Sequence, residues 1–156
     1  MSIERVKAYF ERYGISDRII SLNQSSATVE LAAEALGCEP ARIAKTLTFD
    51  VKGQAILIVT AGDVKIDNNK FKARFGARIK MLTPDDVVSR VGFAIGGVCP
   101  FTVNEGVAVY LDESLRCFET VFPGSGGDTC LIEVTIPELE EYSNYDAWVD
   151  VTKPRG

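Results

Sequence analysis

Residues 45–60 constrain the fold more tightly than any other part of the chain. In KTLTFD, Leu47 and Phe49 share one parity and Thr46 and Thr48 the other, the alternation of a half-buried strand. After a Lys52-Gly53 turn, QAILIVT (residues 54–60) is an apolar, β-rich run that should fold back on the first strand as a hairpin in the core. Helical patterns flank it. Ile3, Val6, Phe10 and Tyr13 recur at helical spacing ahead of Gly14, which predicts a helix over residues 2–13. A second helix is capped by Thr28, carries Glu30 in its first turn, buries Leu31, Ala32, Ala35 and Leu36, and stops at Gly37. Pro40 starts a short turn of helix, and a further helix runs from Asp67 to near Gly76.

Residues 78–82 read as a strand, and Thr83-Pro84-Asp85-Asp86 opens a short helix with a cap, a proline at N1 and an acidic first turn. Residues 107–111, 117–122 and 130–135 are further strand candidates, and Pro137 begins a last short helix. Hairpin spacings mixed with helices, without a regular βαβ repeat, predict an α+β fold: a curved mixed or mainly antiparallel sheet with helices packed against it.

At 156 residues, with 46% hydrophobic and 25% charged side chains, the chain suits one continuous core, so residues 1–156 are expected to form a single domain. It contains no histidine. Ser-His-Asp and Cys-His nucleophile systems and histidine-ligated metals are therefore excluded as mechanisms. The four cysteines form no C-x-x-C pair and read as reduced thiols. The longest uncharged stretch, residues 91–104, is too short and too rich in Gly and Pro to span a bilayer, and the N-terminus has no apolar leader segment, so the expectation is a soluble cytoplasmic protein.

Few residues are candidates for chemistry. The stretch GFAIGGVCPF (residues 92–101) is glycine-rich but has Val98 where a phosphate loop needs Lys, and GSGGD (residues 124–128) lacks the third glycine of a dinucleotide fingerprint. Each is either a tight chain reversal or a place where backbone groups approach a ligand closely. Lys45 shares strand parity with Leu47 and Phe49, so it either snorkels out at the strand's start or points its ammonium into a cavity. Cys99 beside Pro100 has apolar neighbours and no histidine to activate it, which favours a buried structural thiol over a nucleophile.

Charge is uneven in a chain whose net charge is -5. Lys65, Lys70, Lys72, Arg74, Arg78 and Lys80 crowd residues 65–80 against Asp67 alone. This is either a solvated face or a patch for the phosphates of a polyanion. Residues 131–150 carry six acids and no base, and are expected to face away from nucleic acid.

Taken in order, TVELAAEALG (28–37), IAKTL (43–47), AGD (61–63), VGFAIGGVCPF (91–101), VYLDESL (109–115) and GSGG (124–127) resemble the YbaK-type aminoacyl-tRNA deacylases. These are free-standing relatives of the editing domain inserted in bacterial prolyl-tRNA synthetases. The most specific pieces are IAKTL and GGVCP (96–100), the latter matching the family's G-x-x-x-P loop. The resemblance implies an α+β fold with a barrel-like mixed sheet, and hydrolysis of an amino acid wrongly attached to tRNA. It makes Lys45 the key side chain and the loop a wall of the pocket for the misacylated 3′ end.

An aminoacyl ester is already activated, so placing water or the neighbouring ribose hydroxyl and stabilising the oxyanion can suffice, without a nucleophile, metal or cofactor of the protein's own. On this reading Lys45 holds the terminal adenosine's phosphate or hydroxyls, and Gly96 and Gly97 offer backbone groups to the attacking oxygen or oxyanion. Val98, Cys99, Pro100 and Phe101 shape the amino-acid pocket, and Ser125 and Gly126 close its other side. Lys65, Lys70, Lys72, Arg74, Arg78 and Lys80 meet the tRNA backbone. The implied substrate is a small amino acid on tRNA, the proline tRNA by analogy. A synthetase or the elongation factor that carries aminoacyl-tRNA is a possible helper. The alternatives are a module of the same fold that captures aminoacyl-tRNA without cleaving it, and a thiol hydrolase using Cys99.

Overall fold

The computed structural model describes residues 2–22, 28–94, 97–127 and 129–154. The chain opens with helix α1 (Ser2–Glu11), then strand β1 (Ile19–Ser21), helix α2 (Val29–Leu36) and strands β2 (Ile43–Val51), β3 (Gln54–Ala61) and β4 (Val64–Ile66). Helix α3 (Asn68–Phe75) and the one-turn α4 (Pro84–Asp86) follow, the latter running into a turn of π-helix, Val87–Val91. The remainder comprises β5 (Ala108–Asp112), β6 (Thr120–Pro123), β7 (Cys130–Ile132), β8 (Val134–Thr135), α5 (Ile136–Ser143), β9 (Ala147–Val149) and β10 (Thr152–Pro154).

The β2–β3 hairpin is the centre of a six-stranded sheet ordered β8-β6-β2-β3-β5-β9. Its register runs from Ala44 opposite Ala61 to Val51 opposite Gln54, closed by Lys52 and Gly53, both with positive φ. Strands β5 and β6 join parallel to β3 and β2, and β9 joins parallel to β5, so the sheet is mixed. Every residue of β3 from Ala55 onward is buried, so the strand is covered on both faces, as an internal strand of an α+β core requires. Two small antiparallel ribbons, β1–β7 and β4–β10, lie outside this sheet.

Several predicted elements shift. Helix α1 ends at Glu11, and Tyr13 is 44% exposed, stacked on the rings of Tyr9 and Tyr142 instead of closing a buried stripe. In α2 the inward residues are Val29, Ala32, Ala33 and Leu36, while Leu31 and Ala35 are exposed, so the stripe is rotated from the predicted one yet keeps helical spacing. Residues 78–82 make one bridge, Met81 to Phe49, in place of a strand. The strand expected from Cys117 starts at Thr120, because Glu113–Cys117 is a 3₁₀ turn capped by the Asp112 carboxylate, which accepts Ser114 N–H. The strand expected over residues 130–135 is broken into β7 and β8, which pair with different partners. The caps predicted at Thr28 and Thr83 each accept a backbone N–H, Asp67 at the predicted helix start proves to be a cap as well, and Gly37 and Gly76 close their helices in the left-handed conformation.

The AGD motif has a steric origin. A Cβ on Gly62 would stand 2.1 Å from the Pro40 carbonyl oxygen and 2.7 Å from Val29 Cγ1. Only glycine lets the chain leaving β3 pass under the turn that leads into β2.

Candidate functional site

The site begins with an incomplete strand pairing. Strand β6 accompanies β2 only at Ile43 and Ala44, and the Met81 bridge meets β2 again at Phe49. Along that edge the Thr48 carbonyl accepts Leu82 N–H and Asp50 N–H donates to the Lys80 carbonyl. By the two-residue period of a strand, the peptide groups of Thr46 point to the same side, into the interval between β6 and Met81. No strand covers that interval among the described residues.

A cleft of about 340 Å³ lies over this open edge. Its floor is residues 43–48 of β2. Thr28 and Val29, Met81 and Val87, and Val98 with Gly124, Gly127 and Leu131 complete its lining. The volume is at the small end of sites that hold small organic groups. The Thr46 hydroxyl is buried here without a hydrogen-bond partner among the described residues, as is the Ser125 hydroxyl in the neighbouring glycine loop. Buried hydroxyls ordinarily find partners, so such groups beside a cleft suit a polar ligand.

Lys45 is half-buried and lines the cleft. Its Nζ donates a hydrogen bond to the Val64 carbonyl, which ties the ammonium to the start of β4. Val98 is the part of the predicted loop that lines the cleft. Gly97 is packed against the second glycine loop, where a Cβ would lie 3.1 Å from the Gly126 carbonyl oxygen, so small residues bring the two loops together. Cys99 and Phe101 point into the main core, and Pro100 lines a separate hollow beside Tyr9 and Tyr142. Ser125 is fully buried beside the cleft wall, its N–H donating to the Cys130 carbonyl, and Gly126 lies between the two cleft-lining glycines. Gly96 lies outside the described residues.

The Cys99 thiol is 0% exposed, and burial pushes its pKa up to about 12. A protonated thiol shut away from the cleft cannot serve as a nucleophile.

The six cations of residues 65–80 separate into distinct environments. Lys70 bonds the Asp150 carboxylate at 3.0 Å and the Thr152 carbonyl at 2.9 Å, and the Arg74 guanidinium lies over the rings of Phe75 and Tyr110. Asp150, the last residue of the acidic tract, thus meets this basic segment through Lys70. Lys72 and Arg78 border one hollow with Asn68 and Asn69, and Lys65 and Lys80 are exposed. One cation was missed: Lys153 of β10 sits directly opposite Lys65 of β4. Nothing in the local sequence marks it, because the pairing joins segments far apart in the chain. Thr46 was also missed, though its parity opposite Leu47 was legible; the gap in the sheet beside it was not.

The sequence matches the aminoacyl-tRNA editing domain family over residues 23–142, and the chain belongs to that family. It is 46% identical over 154 residues to the uncharacterized protein YwhH of Bacillus subtilis (strain 168), covering 98% of each chain. It is 28% identical over 123 residues to the proline--tRNA ligase of Staphylococcus aureus (strain Newman), a match that takes in 76% of this chain and 22% of the ligase. Among solved structures, a crystal structure provisionally assigned as a trans-editing enzyme for prolyl tRNA synthetase superposes with a TM-score of 0.86 at 31% identity, covering 97% of each chain.

Proposed function

We propose that the chain is a trans-acting aminoacyl-tRNA deacylase that hydrolyses the ester of a small amino acid mischarged on tRNA, the proline tRNA by its likeness to the prolyl enzymes. One observation carries this reading: Lys45 and the small-residue walls at Val98, Gly124 and Gly127 border a single cleft over an open strand edge. In a family whose members edit aminoacyl-tRNA, that arrangement offers a cation for the acceptor terminus and a confined space for the amino acid.

The chemistry follows from the substrate. The ester carbonyl is already electrophilic, so the protein's task is to fix it, admit water or the vicinal ribose hydroxyl as the attacking group, and stabilise the tetrahedral oxyanion. Lys45 acts as a donor, in keeping with the hydrogen bond it makes to the Val64 carbonyl, and holds the phosphate or hydroxyls of the terminal adenosine. The backbone of Gly97 serves the oxyanion or the attacking oxygen, a role the sequence also suggests for Gly96, which lies outside the described residues. Thr46 adds a buried hydroxyl and outward-facing peptide groups from the cleft floor. The apolar side chains of Val29, Val98 and Leu131 set the size of the amino acid admitted. Such walls separate side chains by roughly 1–3 kcal/mol per methylene.

The tRNA backbone is met by Lys65, Lys72, Arg78 and Lys80, with Lys153 beside Lys65, while Lys70 and Arg74 are partly occupied within the protein. The test is a deacylation screen with tRNA charged separately with Ala, Cys, Ser, Thr and Pro. Release of a small amino acid supports the proposal. Binding of tRNA with its charging level unchanged would instead make the chain a capture module.

A further inference from the structure

We propose that Arg5, on α1, is a positioning residue for the glycine loop: its guanidinium clasps the two stems between which residues 93–101 are strung, and so sets where Val98 stands in the cleft. The inference rests on the deacylase reading above. Arg5 lies on the N-terminal helix, ahead of residues 23–142, over which the editing-family model matches.

Arg5 Nη2 donates to the Gly92 carbonyl at 3.0 Å, and Nε donates to Thr102 Oγ1 at 3.1 Å. Its guanidinium also lies 4.8 Å from the centre of the Phe93 ring. Both stem residues are left-handed, Gly92 with φ 102° and Thr102 with φ 57°. A β-branched residue rarely adopts that conformation and keeps it only where surrounding contacts impose it. The bond from Arg5 to the threonine hydroxyl is such a contact. Gly92 is obligatory for a second reason: a Cβ there would stand 2.7 Å from Asn104 Oδ1 and 3.3 Å from Arg5 Nη2.

Asn104 fastens the same stems from another side, its N–H donating to the Val91 carbonyl and its Nδ2 to that of Arg90. Below them Phe10, one helical turn beyond Val6, meets Phe101 edge-on at 4.9 Å. Helix α1 therefore holds the loop twice, through an aromatic contact in the core and through a guanidinium at the surface. Arginine suits the second task because one planar group can bond two acceptors and stack on a ring, which lysine cannot do. Arg5 is exposed, so its bonds add little to global stability. Their effect is on the geometry between the stems.

The experiment compares wild type with Arg5→Met and Arg5→Lys in single-turnover deacylation, thermal melting and amide hydrogen exchange of residues 97–104. A displacement of about 1 Å at a reacting centre costs on the order of a hundredfold in rate. Arg5→Met should therefore lower kcat by about tenfold or more, leave KM within about twofold because the tRNA contacts lie elsewhere, and speed exchange in residues 97–104. Its melting temperature should stay within a few degrees of wild type. Arg5→Lys, keeping the charge but not the fork, should fall between the two. Wild-type exchange in these residues for Arg5→Met, or a fall in kcat without faster exchange, overturns the clasp. If wild type releases no amino acid from any tRNA, the deacylase reading fails, and the exchange comparison still decides whether Arg5 holds the loop.

Discussion

Asp112 offers a stability test whose size can be worked from its partners. The carboxylate is 0% exposed at the end of β5, and its hydrogen-bond partners among the described residues are all neutral donors. Oδ1 accepts Val151 N–H at 2.9 Å, while Oδ2 accepts Ser114 N–H at 3.0 Å and the Thr152 hydroxyl at 2.7 Å. These bonds tie β5 to the segment between β9 and β10, and hence to the ribbon that carries Lys65 and Lys153. Asp112→Ala orphans two deeply buried donors and one nearer the surface. At about 1.5 kcal/mol for each bond to a charged acceptor, the loss should be about 4 kcal/mol. Asp112→Asn keeps the shape. Its amide oxygen can take the two-donor position of Oδ2, leaving the NH₂ facing Val151 N–H, so one contact of three is spoiled and the loss should be about 2 kcal/mol. Urea unfolding with unchanged m-value measures both. An Asn variant as stable as wild type, or an Ala variant losing under about 1 kcal/mol, would refute the assignment of these bonds as the link between the two segments.

Four further outcomes are expected. Iodoacetamide should label exposed Cys117 in the folded protein and Cys99 only on unfolding. The Cys99 pKa is raised from 9.0 to about 12, so its contribution to stability is present below 9.0 and is lost as pH rises through that window; the alkaline fall in urea midpoint should shrink in Cys99→Ala, and an equal fall would contradict the assignment. Gly62→Ala should cost at least about 1–3 kcal/mol, because the Pro40 carbonyl cannot yield to the new Cβ, and a neutral result in urea unfolding would mean the turn moves freely. Replacing Lys65 and Lys153 together by Gln should leave stability within about 1 kcal/mol of wild type, since the like charges facing each other across the ribbon are offset by the 4.0 Å contact of Lys153 with Asp67, while the salt slope of tRNA binding should drop by about 0.9 per lost phosphate contact. Unchanged affinity and slope would remove this ribbon from the tRNA path.

What the sequence could show was what is local. The hairpin was legible because its alternation, its β-rich run and its Lys52-Gly53 turn all lie within one short segment. The helix ends were legible for the same reason: Thr28, Asp67 and Thr83 cap the residues immediately after them. Strands β4, β9 and β10 are three residues each and exist through partners far away in the chain, so no window of sequence reveals them. The cleft is the same kind of object. Lys45 stood out as a cation on an apolar parity, but the open edge beside Thr46 arises because β6 stops accompanying β2 after Ala44, a fact of tertiary pairing. Cys99, Pro100 and Phe101 show the complementary limit: a motif marks a loop, yet which side chains face the cleft depends on how Phe10, Arg5 and Asn104 hold its stems.

The most direct measurement is release of amino acid from mischarged tRNA by wild type and by Lys45→Ala, each shown to be folded by its melting curve. Rapid release by wild type, abolished in a Lys45→Ala protein that melts as wild type does, is the predicted result. Equal release by the two proteins would contradict the assignment of Lys45 to the acceptor end, and with it the central place given to this cleft.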